Sequence, residues 1–190
     1  MHTQDIGDLN IFWAKSVDKG ESYLPLLQHA QDVTDVIEHV AHQLVASGRL
    51  NRLQDNLGGM ELSKVLKAAA WFHDCGKISW FFQPKVPELY GRVTQHGYHG
   101  PSSYTTPTNK QMAVNPHSLV GAHAVATWLS DRAIKKNCDS IVGWKYVIGG
   151  HHGVFPVLEE SDVFQLEPSK WQKARERFLD YGMELIGLDG

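Results

Sequence analysis

The stretch from Pro25 to Ala46 constrains the fold of this chain most. Leu26, Ala30, Val33, Val36, Ile37, Val40 and Leu44 recur three and four residues apart. That is the period of an amphipathic helix, not the alternation of a strand. Pro25 suits the first helical turn and Gly48 suits the C-terminal stop. A helix with one long apolar stripe must bury it against another layer, and the rest of the sequence offers more helices. A second is expected from roughly Glu61 to Cys75, with Leu62, Leu66, Ala69 and His73 on one line and Gly76 ending or kinking it. A short helical turn, Ser79 to Gln83, precedes Pro84. A third helix runs from near Pro116 to about Lys136, and a fourth from about Asp139 to Gly150. Pro168 opens a last one through about Ile186, with Trp171, Ala174, Phe178 and Leu185 inside. No strand is expected. The segment from Pro84 to Asn115 is rich in Gly, Pro, Ser, Thr and Tyr without a sustained period, and is read as a long functional loop. The expected fold class is all-α, a compact helical bundle.

At 190 residues the chain has the length of one domain with a sizeable core. No apolar run of about 18 residues occurs, so no membrane span or membrane partner is expected. Met1 to Ala14 lacks the basic-then-apolar order of a signal peptide, and the expected location is cytoplasmic. The formal net charge of -3 argues against tight nucleic-acid binding by the domain alone. It leaves room for a nuclease that is handed its substrate. Cys75 and Cys138 form no metal-binding pair and are read as buried or free thiols.

Histidine is the unusual residue, with eleven copies, so their positions decide where chemistry can occur. Imidazoles and carboxylates suit divalent transition metals, and a metal site within a bundle needs ligands on several inward faces. At about 100° per residue, His29 falls inside the apolar arc of the first helix. His39 lies at its edge and His42 points away. A lone core-facing histidine is commonly a hydrogen-bonded core residue, so His29 alone does not decide. His73 continues the inner line of the second helix and Asp74 follows. An acid near a helix C-terminus is unfavourable unless a cation offsets it. On the third helix His117 shares a face with Val120, Gly121, Ala124, Val125 and Trp128. Gly121 and Ala124 would let a neighbouring helix approach, while His123 is read as peripheral. His151 and His152 lie between glycines, either in a surface turn or bonded or ligating. Taken together they predict a divalent-metal site.

The same residues carry a resemblance. Leu26-Leu27-Gln28-His29-Ala30-Gln31-Asp32-Val33, Phe72-His73-Asp74-Cys75-Gly76-Lys77, Phe82-Gln83, Asn115-Pro116-His117-Ser118-Leu119-Val120-Gly121-Ala122 and Gly150-His151-His152-Gly153 occur in order. They resemble the HD superfamily, and within it the HD nuclease domain of the CRISPR-associated type I nuclease-helicase. The opening Phe12-Trp13-Ala14-Lys15-Ser16 is also similar. The resemblance implies a helical HD phosphohydrolase fold and a metal-dependent endonuclease acting on single-stranded DNA in antiviral defence. By this resemblance Asp74 bridges two metals, His29 and His73 serve one, and His117, His151 and His152 serve the other. Lys77 would contact the scissile phosphate or position water; its other reading is an exposed helix-end cation. The implied ions are one or two of manganese, cobalt, nickel, iron or magnesium. The implied partners are a helicase domain or subunit and a guide-RNA surveillance complex that opens the target.

One departure stands out. The family carries a further metal-ligating aspartate on a late helix in an Ala-Asp-x-x-Ser-like phrase. Here the only later aspartates are Asp162, Asp180 and Asp189, none in that setting. The expectation is a single domain over residues 1–190, cut short at its C-terminal end and originally followed by a helicase domain. Two other functions fit the ligands: an HD-type nucleotide phosphohydrolase, and a catalytically impaired metal-binding interaction module. No catalytic triad is expected, since Ser118 reads as a helix-start residue. Trp80, Phe81 and Phe82 could stack on bases but are read as core. The clusters Arg132, Lys135, Lys136 and Lys170, Lys173, Arg175, Arg177 are read as solvated faces.

Overall fold

The computed structural model describes residues 6–57, 60–102, 106–132, 138–153 and 167–188. Eight α-helices dominate them: α1 Leu26–Ala46, α2 Asn51–Asp55, α3 Leu62–Phe72, α4 Pro87–Gln95, α5 Asn109–Val114, α6 His117–Asp131, α7 Cys138–Gly149 and α8 Ser169–Ile186. The bundle expected from the periodicity is present. α1 packs on α3, α3 on α8, and α6 on α7 and α8. No helix among the described residues is long and apolar enough to cross a membrane.

Three expectations need correction. First, two short strands exist, β1 Trp13–Val17 and β2 Ser22–Pro25, paired antiparallel with Lys15 opposite Leu24. Their connection uses left-handed backbone at Asp18, Lys19 and Gly20. The hairpin is too short to show alternation. Second, the segment from Pro84 to Asn115 is not one loop. α4 begins with Pro87 in its first turn and buries Leu89, Tyr90 and Val93, while α5 is started by a capping box between Thr108 and Gln111. Helices of 9 and 6 residues are too short for a sustained period. Third, the buried faces differ in detail. On α1, Val36 and Val40 are exposed, whereas Leu26, His29, Ala30, Thr34 and Ala41 are buried. On α8, Leu185 is exposed, and Gly182 and Ile186 take inner positions beside Trp171, Ala174 and Phe178.

The core is aromatic. Trp71, Trp80, Trp128, Trp171, Phe12, Phe72, Phe81 and Phe178 are fully buried, each burial worth about 1.5–3 kcal/mol or more. Trp80 and Phe81 are therefore packing residues, as the sequence suggested. Phe82 joins a smaller cluster with Trp13, Val86 and Leu89. Gly182 sits against the Trp71 ring, where a Cβ would fall 2.2 Å from it. Helix α3 ends at Phe72, earlier than expected, and the chain turns through His73 and Asp74 into a 3₁₀ turn, Cys75–Lys77. That turn lies against α6. Gly121 admits both this turn and a helix, since it faces Ile148 of α7 as well as Cys75 and Gly76.

Candidate metal centre

Asp74 is the hub. Ending α3 at Phe72 frees Asp74 from helical geometry (φ -106°, ψ 9°), so its carboxylate turns into the bundle next to His73. Only 3% of Asp74 is exposed. His29 from α1 places Nε2 3.0 Å from Oδ2, and His73 places Nε2 3.2 Å from the same oxygen. His117 from the first turn of α6 and His151 after α7 bring Nε2 to 3.2 and 3.6 Å from Oδ1. His152 meets His117, Nε2 to Nε2, at 2.9 Å. All six histidine and aspartate positions expected at the site converge here. Nearby donor atoms form two sets, His29 with His73 and Asp74, and His117 with His151 and His152.

Hydrogen bonds reveal what the set is built to hold. His73 Nδ1 lies 2.6 Å from the Ala70 carbonyl and His151 Nδ1 2.6 Å from the Ile148 carbonyl. A carbonyl only accepts, so each Nδ1 carries the proton and donates it. In the neutral ring the bare Nε2 lone pair then faces the Asp74 carboxylate. Burial lowers the pKa of His151 to about 4, so that ring is neutral at pH 7. Its Nε2 is buried and has no hydrogen-bond partner among the described residues. Lone pairs aimed at a buried carboxylate repel each other unless a cation lies among them. The residues therefore fit a divalent metal, with the carbonyls fixing the imidazole tautomer as outer partners do at metal sites.

Burial alone would raise the Asp74 pKa, but the hydrogen bonds from His117 and His29 outweigh it and hold the carboxyl far below its usual range. Asp74 is ionised at neutral pH. Burial also depresses the pKa of His117, against the pull of Asp74. Lys77 places Nζ 2.7 Å from Asp74 Oδ2 and donates to the Ala14 carbonyl at 3.1 Å. It is buried, not an exposed helix-end cation. The cluster opens to solvent at His152, which is exposed.

The rejected histidines fall as expected: His39 and His42 are exposed, and His123 lines a separate cavity of about 260 Å³ between α6 and α8 with Trp128, Arg175 and Glu176. Asp180 accepts hydrogen bonds from Trp128 and Arg132, away from the cluster, whereas Asp162 and Asp189 lie outside the described residues. Arg175 is no solvated-face residue: it is buried, paired with Glu167 at 2.6 Å and donating to the Ile78 carbonyl. The Cys75 thiol is buried and pushed up to about 12 by desolvation, which leaves it unreactive.

Two contributors escaped the sequence reading. Ala14 acts through its backbone carbonyl, which no side-chain pattern signals. Gln83 is fully buried and bonded to both Trp13 and Lys77; the sequence marked it only within the Phe82-Gln83 match, without a role. Phe82 stands edge-on to His117 at 5.4 Å and carries Lys85 over its ring at 4.9 Å.

No curated protein and no solved structure matches the chain. One family model does, described as Cas3, HD domain, over residues 13–190. With the helical fold and the cluster around Asp74, this places the chain in the Cas3 HD-domain family, a CRISPR-associated family of HD nuclease domains.

Proposed function

We propose that this domain hydrolyses phosphodiester bonds of single-stranded DNA with one or two divalent transition metal ions held around Asp74. The observation that carries the reading is the pair of Nδ1-bonded imidazoles, His73 and His151, whose Nε2 atoms face a buried carboxylate. His29, His73 and Asp74 would hold one ion. His117, His151 and His152 would hold a second, with Asp74 between the two sets because each of its oxygens faces one of them. Manganese, cobalt, nickel, iron and magnesium are the candidates, and the imidazole-rich set favours the transition metals over magnesium. A metal bound there supplies Lewis acidity and lowers the pKa of water.

The chain's own residues do the rest. Asp74 stays ionised and neutralises charge at the centre. Lys77 supplies a fixed ammonium beside Asp74 Oδ2, placed to meet a phosphate oxygen. Lys85 is exposed, lies over the same Phe82 ring as Lys77, and pairs with no carboxylate among the described residues. It is suited to a backbone phosphate, the sequence-independent contact that dominates strand binding. The exposed His152 edge suits a polymer passing over the centre better than an enclosed single nucleotide. A net charge of -3 counts against tight strand binding by the domain alone and favours delivery by a partner: a helicase domain or subunit acting after a guide-RNA surveillance complex, in the cytoplasm.

The test is a side-by-side assay with manganese, cobalt or nickel on single-stranded DNA and on deoxynucleotides. Cleavage of the strand that vanishes in Asp74→Asn supports the proposal. Hydrolysis of deoxynucleotides with the strand intact assigns a nucleotide phosphohydrolase instead. Absence of both metal and activity makes the domain a non-catalytic module.

A further inference from the structure

We propose that Gln83 is the positioning residue that sets the Lys77 ammonium against Asp74. Gln83 is fully buried, in the turn after the aromatic run. Its amide makes three bonds: Nε2 donates to the Lys77 carbonyl at 2.9 Å and to the Trp13 carbonyl at 3.1 Å, and Oε1 accepts from the Trp13 backbone at 3.3 Å. The Gln83 carbonyl accepts from the Trp13 indole at 3.2 Å. Only one amide orientation satisfies two carbonyls and one N–H. Gln83 therefore ties β1 to the turn that carries Lys77. The residue after Trp13 is Ala14, whose carbonyl accepts from Lys77 Nζ. One side chain thus fixes both the backbone of Lys77 and the acceptor that aims its ammonium. Nζ is held at 2.7 Å from Asp74 Oδ2 at the end of a long flexible stem, and a stem of this kind adopts one geometry only when its surroundings fix it. No other described side chain bonds both β1 and the Lys77 backbone.

Gln83 touches no metal-ligand side chain among its hydrogen bonds, so it acts through Lys77. The activity arm of the test rests on the nuclease reading; the labelling arm does not. Gln83→Met keeps the length of the side chain and removes its hydrogen bonds. Reductive methylation followed by peptide mapping compares Lys77 with exposed Lys85 in the same sample. In the wild type Lys77 is modified more slowly than Lys85, and in Gln83→Met the difference closes while the circular dichroism spectrum is kept. On single-stranded DNA with manganese, kcat falls on the order of tenfold to a hundredfold with KM unchanged, the size a small misplacement costs. In a Lys77→Met background, Gln83→Met then costs nothing further, because both changes remove the same contribution. The proposal is overturned if Lys77 stays protected in Gln83→Met, or if Gln83→Met loses the same factor with and without Lys77. If Gln83→Met does not fold, Gln83→Asn, which retains an amide but shortens its reach, gives the same comparisons. A wild type inactive on DNA refutes the nuclease reading, and the labelling still decides the role of Gln83.

Discussion

Substituting Gly76 with alanine should damage the metal centre through the backbone of α6. A Cβ on Gly76 would lie 1.9 Å from the His117 carbonyl oxygen, 2.5 Å from the Gly121 nitrogen and 2.9 Å from the His117 carbonyl carbon. Real Cβ contacts essentially never fall below 3.0 Å. The 3₁₀ turn and the start of α6 must therefore separate by about 1 Å, the difference between those two distances. All three obstacles are main-chain atoms, so no rotamer change relieves them. Overpacking costs about 1–3 kcal/mol, and the upper end applies because backbone must move. In a chain of this size about 3 kcal/mol lowers Tm by roughly 6–12 °C. His117 leaves from the first turn of α6 and Asp74 from the residue before the 3₁₀ turn, so the separation also stretches their 3.2 Å contact. The assay is a thermal melt of Gly76→Ala with and without manganese, alongside a calorimetric manganese titration. The variant should melt lower and bind manganese more weakly. Gly182→Ala is the control: its Cβ would meet the Trp71 ring at 2.2 Å, so it should lose stability but keep metal affinity better. A Gly76→Ala protein that melts with the wild type, or that loses stability with unchanged metal affinity, would refute the reasoning.

Three further outcomes are expected. Lys85→Ala should raise KM for single-stranded DNA and flatten its salt dependence by about one counterion, with manganese affinity unchanged; unchanged KM would remove Lys85 from the strand path. Asp180→Asn should weaken the bonds from Trp128 and Arg132, costing about 1 kcal/mol or less at this partly exposed site, while metal stoichiometry in the calorimeter stays as in the wild type; a lost ion would make Asp180 the late ligand after all. Hydrogen bonds from the Arg177 guanidinium hold the Asp8 carboxyl below the usual range. A depressed carboxylate stabilises above its unfolded pKa and stops doing so as pH falls through the folded one. Asp8→Asn should therefore be less stable than the wild type at pH 7, by under about 1 kcal/mol for so exposed a pair, and the gap should close in melts well below pH 4; a gap that persists there contradicts the ion-pair account.

The sequence was most readable where a long helix carries its own signal. The bounds of α1 and α8 and the inward faces of His29, His73 and His117 follow from helical phase, whereas the joining of Asp74, His151 and His152 to them was what the family resemblance implied. What stayed hidden depends on tertiary contact. α4 and α5 owe their form to three buried side chains and a Thr108 cap, in a composition that reads as loop. Val36 and Val40 match the α1 period yet remain exposed, because periodicity gives a face but not the width of what covers it. Leu185 fails for a similar reason, since Gly182 brings α8 close to Trp71 and the contact line passes through Ile186. Gln83 was visible as a residue but not as a junction, because its partners lie 70 and 6 positions away.

The central claim is that Asp74 and the surrounding imidazoles form a metal centre. Anomalous scattering from crystals of the protein grown with manganese tests it most directly. The account predicts a peak between the Asp74 carboxylate and Nε2 of His29 and His73, or of His117 and His151, or both, with Nδ1 of His73 and His151 still on the Ala70 and Ile148 carbonyls. Peaks only elsewhere, with the imidazoles bonded directly to Asp74, would contradict it.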